Sequence, residues 1–130
     1  MTPRARLHAA MLRIEQDRSL FDALPSTHTG TLGEIEGIAH ELAHQLDHGR
    51  NFEHRLARRG VTDAQANDRE ASTLRIEVAA LARLGVKVSL RSLWRDAGWR
   101  GARPELARRL DARERKCVRA FVRIVREAMP

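Results

Sequence analysis

Residues 35–46 read IEGIAHELAHQL, and this stretch decides the fold of the region around it. Its apolar side chains recur at three- and four-residue intervals, which is the periodicity of an amphipathic α-helix: Ile35, Ile38, Ala39, Leu42 and Leu46. Upstream, Thr31 and Glu34 have the spacing of a capping box, and Gly49 is a residue type that commonly ends a helix. The sequence therefore predicts one helix between these two signals.

The rest of the chain carries helix signals of the same kind. Helices are predicted over residues 3–24, 51–59, 62–84 and 89–97, and a last helix begins at a capping box formed by Asp111 and Glu114. The predicted buried face of this last helix is Cys117, Val118, Phe121, Val122 and Val125. Residues 86–88 are the only strand-like fragment. Because no internal repeat or low-complexity linker interrupts the chain, residues 1–130 are predicted to form a single all-α domain.

Two histidines stand four residues apart inside the helix predicted for residues 35–46. Positions i and i+4 lie one above the other on a helix face, so the imidazoles of His40 and His44 can reach one zinc ion. Glu41 projects from the same side, where it can accept a proton from water that the ion has made more acidic. This H-E-x-x-H pattern predicts two metal ligands and a general base. The alternative is two half-buried histidines that stabilise the helix, with Glu41 as a surface acid.

The stretch from Ile38 to Gly49, together with Asp-Arg-Glu-Ala at residues 68–71, resembles the small bacterial and phage zincin metallopeptidases of the ImmA/IrrE type. The resemblance covers roughly residues 34–84. It implies a zinc-dependent hydrolase that acts on a protein or peptide, with its zinc ligands and general base at these positions: His40, His44 and Glu70 as ligands, and Glu41 as the base. That family normally has a small sheet before the motif helix, whereas residues 1–30 are predicted to be helix and loop.

Helical geometry also favours Glu70 as the third ligand. In the predicted long helix, Glu70 and Glu77 share one side with Leu74, Val78 and Leu81, so an acid there lies within or beside the buried face. A buried carboxylate needs a partner, and a metal ion is one. Glu77 is the alternative ligand, and a solvated or arginine-paired role for both acids is the third interpretation. His48 is too far along the helix to share an ion with His40 and is predicted to be a donor at the helix C-terminus.

Charge is distributed unevenly along the chain. Residues 1–65 carry eight Lys/Arg and nine Asp/Glu, a net charge of −1, whereas residues 66–130 carry sixteen and eight, a net charge of +8. A basic half can attract nucleic acid or an acidic protein, although arginines interleaved with acids are also typical of a solvated surface. The pair Trp94 and Trp99, interleaved with arginines, resembles some nucleic-acid platforms, and the alternative is that the two rings anchor a core corner or a dimer contact.

The remaining sequence features concern the environment of the protein. The single cysteine, Cys117, excludes an internal disulfide and fits a reducing compartment. No stretch approaches the roughly 18 apolar residues that cross a bilayer, and no secretory leader is recognised at the N-terminus. The expectation is a cytoplasmic protein without a membrane partner.

Two functions are consistent with these features. The first is a zinc-dependent, metallopeptidase-like hydrolase built on residues 31–84. The second is a non-catalytic helical domain that holds a structural metal or none and binds a protein or nucleic acid through its basic part, residues 89–130.

Overall fold

The computed structural model describes residues 2–17, 33–49, 63–90 and 108–130. These residues form four helices, which confirms the all-α prediction: α1 (Pro3–Glu15), α2 (Gly33–His48), α3 (Asp63–Arg83) and α4 (Ala112–Ala128). Residues 86–88 are not a strand, and no other strand occurs in the described ranges. The helix predicted for residues 51–59, nearly all of that predicted for 89–97, and the caps at Thr31 and Thr62 fall on residues outside those ranges.

Two helices begin at caps that the sequence predicts or allows. The Thr2 hydroxyl accepts a hydrogen bond from the Ala5 amide at 3.1 Å, and Pro3 occupies the first turn, where its missing N–H costs nothing. At the start of α4, the Glu114 amide donates to Asp111 Oδ1 at 2.7 Å and the Asp111 amide donates to Glu114 Oε1 at 3.0 Å. This reciprocal pair confirms the predicted capping box.

Helices α2 and α3 end at glycines that adopt a left-handed conformation. Gly49 has φ 82° and donates to the Gln45 carbonyl at 2.8 Å, which closes α2. Gly85 has φ 87°, and the amide of Val86 reaches the Leu81 carbonyl at 2.9 Å in a Schellman motif. The stop at Gly49 and the end of the long helix near residue 84 agree with the prediction. Glycine suits both positions, because a side chain at positive φ is strained and glycine has none.

Helices α2 and α4 contact each other, and each of them also contacts both α1 and α3. Their apolar faces meet in one core, to which α1 contributes Leu7 and Met11, α2 contributes Ile38 and Leu42, and α3 contributes Ile76 and Leu81. From α4 the core receives the five predicted residues: Cys117, Val118, Phe121, Val122 and Val125. Among the helices of the described ranges, none has the length and apolar character needed to cross a membrane.

Candidate metal centre

The two histidines of α2 face a glutamate of α3. His40 Nε2 lies 2.7 Å from Glu70 Oε1, and His44 Nε2 lies 3.1 Å from Glu70 Oε2. The two imidazole rings meet edge to face, with centroids 4.4 Å apart and planes at 85°. One ligand atom from each of the three side chains lies within 4.8 Å of the others. The structure therefore brings together the three residues that the sequence singled out as metal ligands.

The donor set and its surroundings fit a zinc ion. Two imidazole nitrogens and one carboxylate oxygen are a common protein ligand set for catalytic zinc, which keeps a fourth position open. The side chains of His44 and Glu70 are each 11 % exposed, whereas that of His40 is 26 % exposed. The cluster is thus enclosed on the side of α3 and reached by solvent beside His40.

The charge of the cluster depends on whether His40 is protonated. Burial disfavours the charged imidazole of His40, but hydrogen bonds to Glu70 and Glu77 and the charges of both carboxylates outweigh burial and raise the pKa of His40 to about 10. Burial also opposes ionisation of Glu70, yet hydrogen bonds from His40 and His44 lower its pKa to about 2. The metal-free cluster is therefore an ion pair that includes protonated His40. Since a metal takes the deprotonated ligand, binding must release that proton.

Glu77 lies behind the cluster, on the other nitrogen of His40. Its Oε1 atom is 2.8 Å from His40 Nδ1, and the side chain is 1 % exposed. The carboxylate that the sequence offered as an alternative third ligand thus contacts the ring edge that faces away from Glu70. Glu70 alone of the two acids reaches both Nε2 atoms.

His44 has a polar neighbour at the corresponding position. Its Nδ1 atom lies 3.5 Å from the hydroxyl of Thr73, which is fully buried and donates to Asp47 Oδ2 at 3.1 Å. Asp47 also accepts hydrogen bonds from Arg113 of α4 and from His48. Burial opposes ionisation of Asp47, but these two partners outweigh it and lower its pKa to about 2.

Two further residues singled out from the sequence lie beside the cluster and do not belong to it. Glu41, the predicted general base, is half-buried on α2 and is not among the three grouped ligands. His48 contacts Asp47 at 2.8 Å and the Arg69 carbonyl of α3 at 3.3 Å. It lies at the C-terminus of α2 as predicted, and its hydrogen-bond partners are the Asp47 side chain and a backbone carbonyl of α3.

Sequence reasoning did not identify Thr73, Asp47 or Arg113 as neighbours of the site. A signal for Thr73 existed: it stands three residues after Glu70 and is a hydroxyl residue on a helix face that is otherwise buried. No such signal existed for Arg113, which meets Asp47 from 66 residues away. Trp94 and Trp99 fall on residues that the structure does not describe.

Comparison of the chain with protein-family models, curated proteins and solved structures found no match.

Proposed function

We propose that this chain binds one zinc ion through His40, His44 and Glu70 and is a zinc-dependent hydrolase. The observation that carries the proposal is the convergence of both Nε2 atoms on the two oxygens of one carboxylate, at 2.7 and 3.1 Å. Residues on two helices have to be in register for this arrangement. Two nitrogens and one oxygen complete three of the four positions of a tetrahedral zinc site.

The open side of the cluster supports hydrolysis more than a purely structural metal. Structural zinc sites are usually closed by four protein ligands, whereas catalytic sites use three and leave one position for water. When bound in such a site, zinc lowers the pKa of water to about 7 and so supplies a nucleophile at neutral pH. The greater exposure of His40 marks the side from which water and substrate would enter.

Glu41 is proposed as the general base of this hydrolase. It follows His40 directly on α2, and its side chain is half-buried. A positioned acid–base group contributes about 10²–10⁴-fold to a rate. Its role is to hold and pass a proton, and it is not needed to keep the metal in place.

The resemblance to the ImmA/IrrE type suggests a peptide substrate. The part of the chain before the motif helix that the structure describes, residues 2–17, is helix α1, so it offers no edge strand to align a peptide. Peptides are tested first because the resemblance points to them, and a small ester is added as a probe that needs no such alignment.

The test is hydrolysis by the zinc-loaded wild type and by Glu41→Gln. A fluorescence-quenched peptide library and p-nitrophenyl acetate serve as substrates, and zinc content is measured by mass spectrometry. We expect Glu41→Gln to keep its zinc and melting temperature while turnover falls by about 10²–10⁴-fold. If the zinc-loaded wild type cleaves neither probe, or if Glu41→Gln is equally active, the hydrolase proposal is wrong.

A second candidate function is supported by a different surface. Four exposed arginines line one groove of about 320 Å³ between the end of α3 and α4, together with a single acid, Glu127. The arginines are Arg83, Arg119, Arg123 and Arg126. Since Arg83 stands thirteen residues after Glu70, the groove lies roughly 20 Å along α3 from the metal cluster. We propose nucleic acid as its partner, because clustered guanidinium groups bind phosphates well.

A further inference from the structure

We propose that Glu77 and the Thr73–Asp47 pair are positioning residues, which hold His40 and His44 in the tautomer that directs Nε2 toward Glu70. This inference rests on the proposed zinc site and extends it to the groups that set its geometry. It assigns a role to three buried or half-buried polar side chains that do not belong to the ligand set.

Glu77 acts on His40 directly. A carboxylate accepts hydrogen bonds, so we assign the proton in the 2.8 Å contact with Glu77 Oε1 to His40 Nδ1. The lone pair of a neutral His40 is then on Nε2, which faces Glu70. A carboxylate behind a metal-bound imidazole both orients the ring and makes it a stronger ligand. This role also gives a reason for burying Glu77, whose side chain is only 1 % exposed.

The Thr73–Asp47 pair acts on His44 through one intervening hydroxyl. Arg113 and His48 donate hydrogen bonds to Asp47. The Thr73 hydroxyl has one proton, and it donates that proton to Asp47 Oδ2 at 3.1 Å. The Thr73 oxygen can therefore only accept from His44, so the proton in that 3.5 Å contact sits on His44 Nδ1. In a neutral His44, the form that binds a metal, the lone pair is then on Nε2, as it is in a neutral His40.

The two arrangements differ in strength. His40 meets a charged group at hydrogen-bond distance, whereas His44 meets a neutral hydroxyl at 3.5 Å, and the Asp47 charge behind it is already compensated by Arg113. Hydrogen bonds to charged groups are stronger than neutral ones. Loss of Glu77 should therefore weaken the metal site more than loss of the Thr73 hydroxyl.

The experiment compares zinc affinity and histidine tautomers in the wild type, Glu77→Gln, Thr73→Val and Thr73→Ser. Affinity is measured by competition with a fluorescent zinc chelator, and tautomers by ¹⁵N NMR of the histidine rings in the zinc-loaded protein. Gln keeps the shape of Glu77 without its charge, Val keeps the shape of Thr73 without its hydroxyl, and Ser restores that hydroxyl. Thr73→Val is close to isosteric, so it keeps the test informative if a Glu77 variant does not fold.

We expect Glu77→Gln to weaken zinc binding by about 10–100-fold, as loss of a ligand-orienting group does, and to perturb the His40 resonances more than those of His44. Thr73→Val should have a smaller effect that falls on His44, and Thr73→Ser should restore the wild-type value. Unchanged affinity and unchanged ring resonances in both variants would overturn the positioning proposal and leave the zinc site standing. A wild type that binds no zinc would overturn both.

Discussion

Glu70 and Glu77 are the same residue type on the same side of α3, two helical turns apart, and they meet opposite edges of one imidazole. The Oε1 atom of Glu70 is 2.7 Å from His40 Nε2, and that of Glu77 is 2.8 Å from His40 Nδ1. Only Glu70 also reaches His44. At the residue scale, the proposed roles of the two acids, ligand for Glu70 and positioning group for Glu77, therefore follow from the ring nitrogen that each carboxylate contacts.

The ligand role of His44 can be tested by its removal. We expect the wild type to carry about one zinc per chain and His44→Ala to lose it, because two protein ligands hold zinc far more weakly than three. Since the ion binds the folded state, its loss should also lower the melting temperature by several °C. Zinc content and thermal unfolding are measured together on metal-loaded protein.

His8→Ala is the matched control for that experiment. His8 lies on α1 and is not part of the three-residue cluster, so its replacement should leave the zinc content unchanged. Equal zinc content in the wild type and His44→Ala would remove His44 from the site.

At the scale of single elements, the N-terminus of α4 depends on a buried acid. Glu114 completes the capping box and is fully buried, and it also accepts hydrogen bonds from Ser72 at 3.0 Å, Arg75 at 3.1 Å and Arg108 at 2.6 Å. The sequence identifies the capping role, because that role needs only residues three apart. The pairing with α3 converts a local cap into a link between two helices.

This link should make stability depend on pH. Burial opposes ionisation of Glu114, but the Asp111 amide, Arg108, Arg75 and Ser72 outweigh it and lower its pKa from an ordinary 4.5 to about 2. A carboxylate whose folded pKa lies below its unfolded pKa stabilises the protein above about pH 4.5, and this contribution is lost as the pH falls toward 2. Glu114→Gln should therefore cost about 3–5 kcal/mol at pH 7 and much less near pH 2.5.

Thermal or urea unfolding of the wild type and Glu114→Gln between pH 2.5 and 7 measures that difference. Glu127→Gln, at an exposed position of the same helix, is the control and should change little at any pH. Asp47 and Glu70 also have lowered pKa values, so the difference between the two proteins is the informative quantity. A difference that stays constant with pH would contradict the assignment to Glu114.

At the scale of the whole molecule, folding brings four arginines of the second half of the chain to one groove. Residues that are far apart in the chain, Arg83 and Arg119 to Arg126, line the same groove. The cluster of His40, His44 and Glu70 lies nearer the start of α3, so the two proposed functions can be tested by separate substitutions.

Salt dependence tests the arginine groove. If four arginines each contact a phosphate, affinity for a fluorescent single-stranded DNA should fall roughly 50-fold between about 50 and 200 mM salt, because bound counterions are released. Replacing Arg119 and Arg123 by Gln should reduce that fall to roughly sevenfold, by the same relation. Arg4→Gln, exposed on α1 and outside the groove, is the control. Absence of binding at 50 mM salt would exclude this partner.

The sequence alone determined the features that depend on residues within one or two helical turns. These are the ends of α2 and α3 at Gly49 and Gly85, the capping box at Asp111, and the presentation of His40 and His44 on one helix face. The apolar face of α4 belongs with them, since its five predicted residues are all in the core. Each follows from backbone geometry or helical period, which act locally and leave a pattern in the chain.

Tertiary structure decided which acid of α3 meets which histidine, and what lies behind each ring. These contacts depend on the rotation of α3 about its own axis relative to α2, and a rotation of one residue changes every contact while leaving the helical pattern of the sequence unchanged. The pairs Arg113–Asp47 and Arg75–Glu114 likewise join residues 66 and 39 positions apart. Such pairings arise only when the apolar faces of α2, α3 and α4 have packed together, because that packing brings the polar groups at its margin within hydrogen-bond distance.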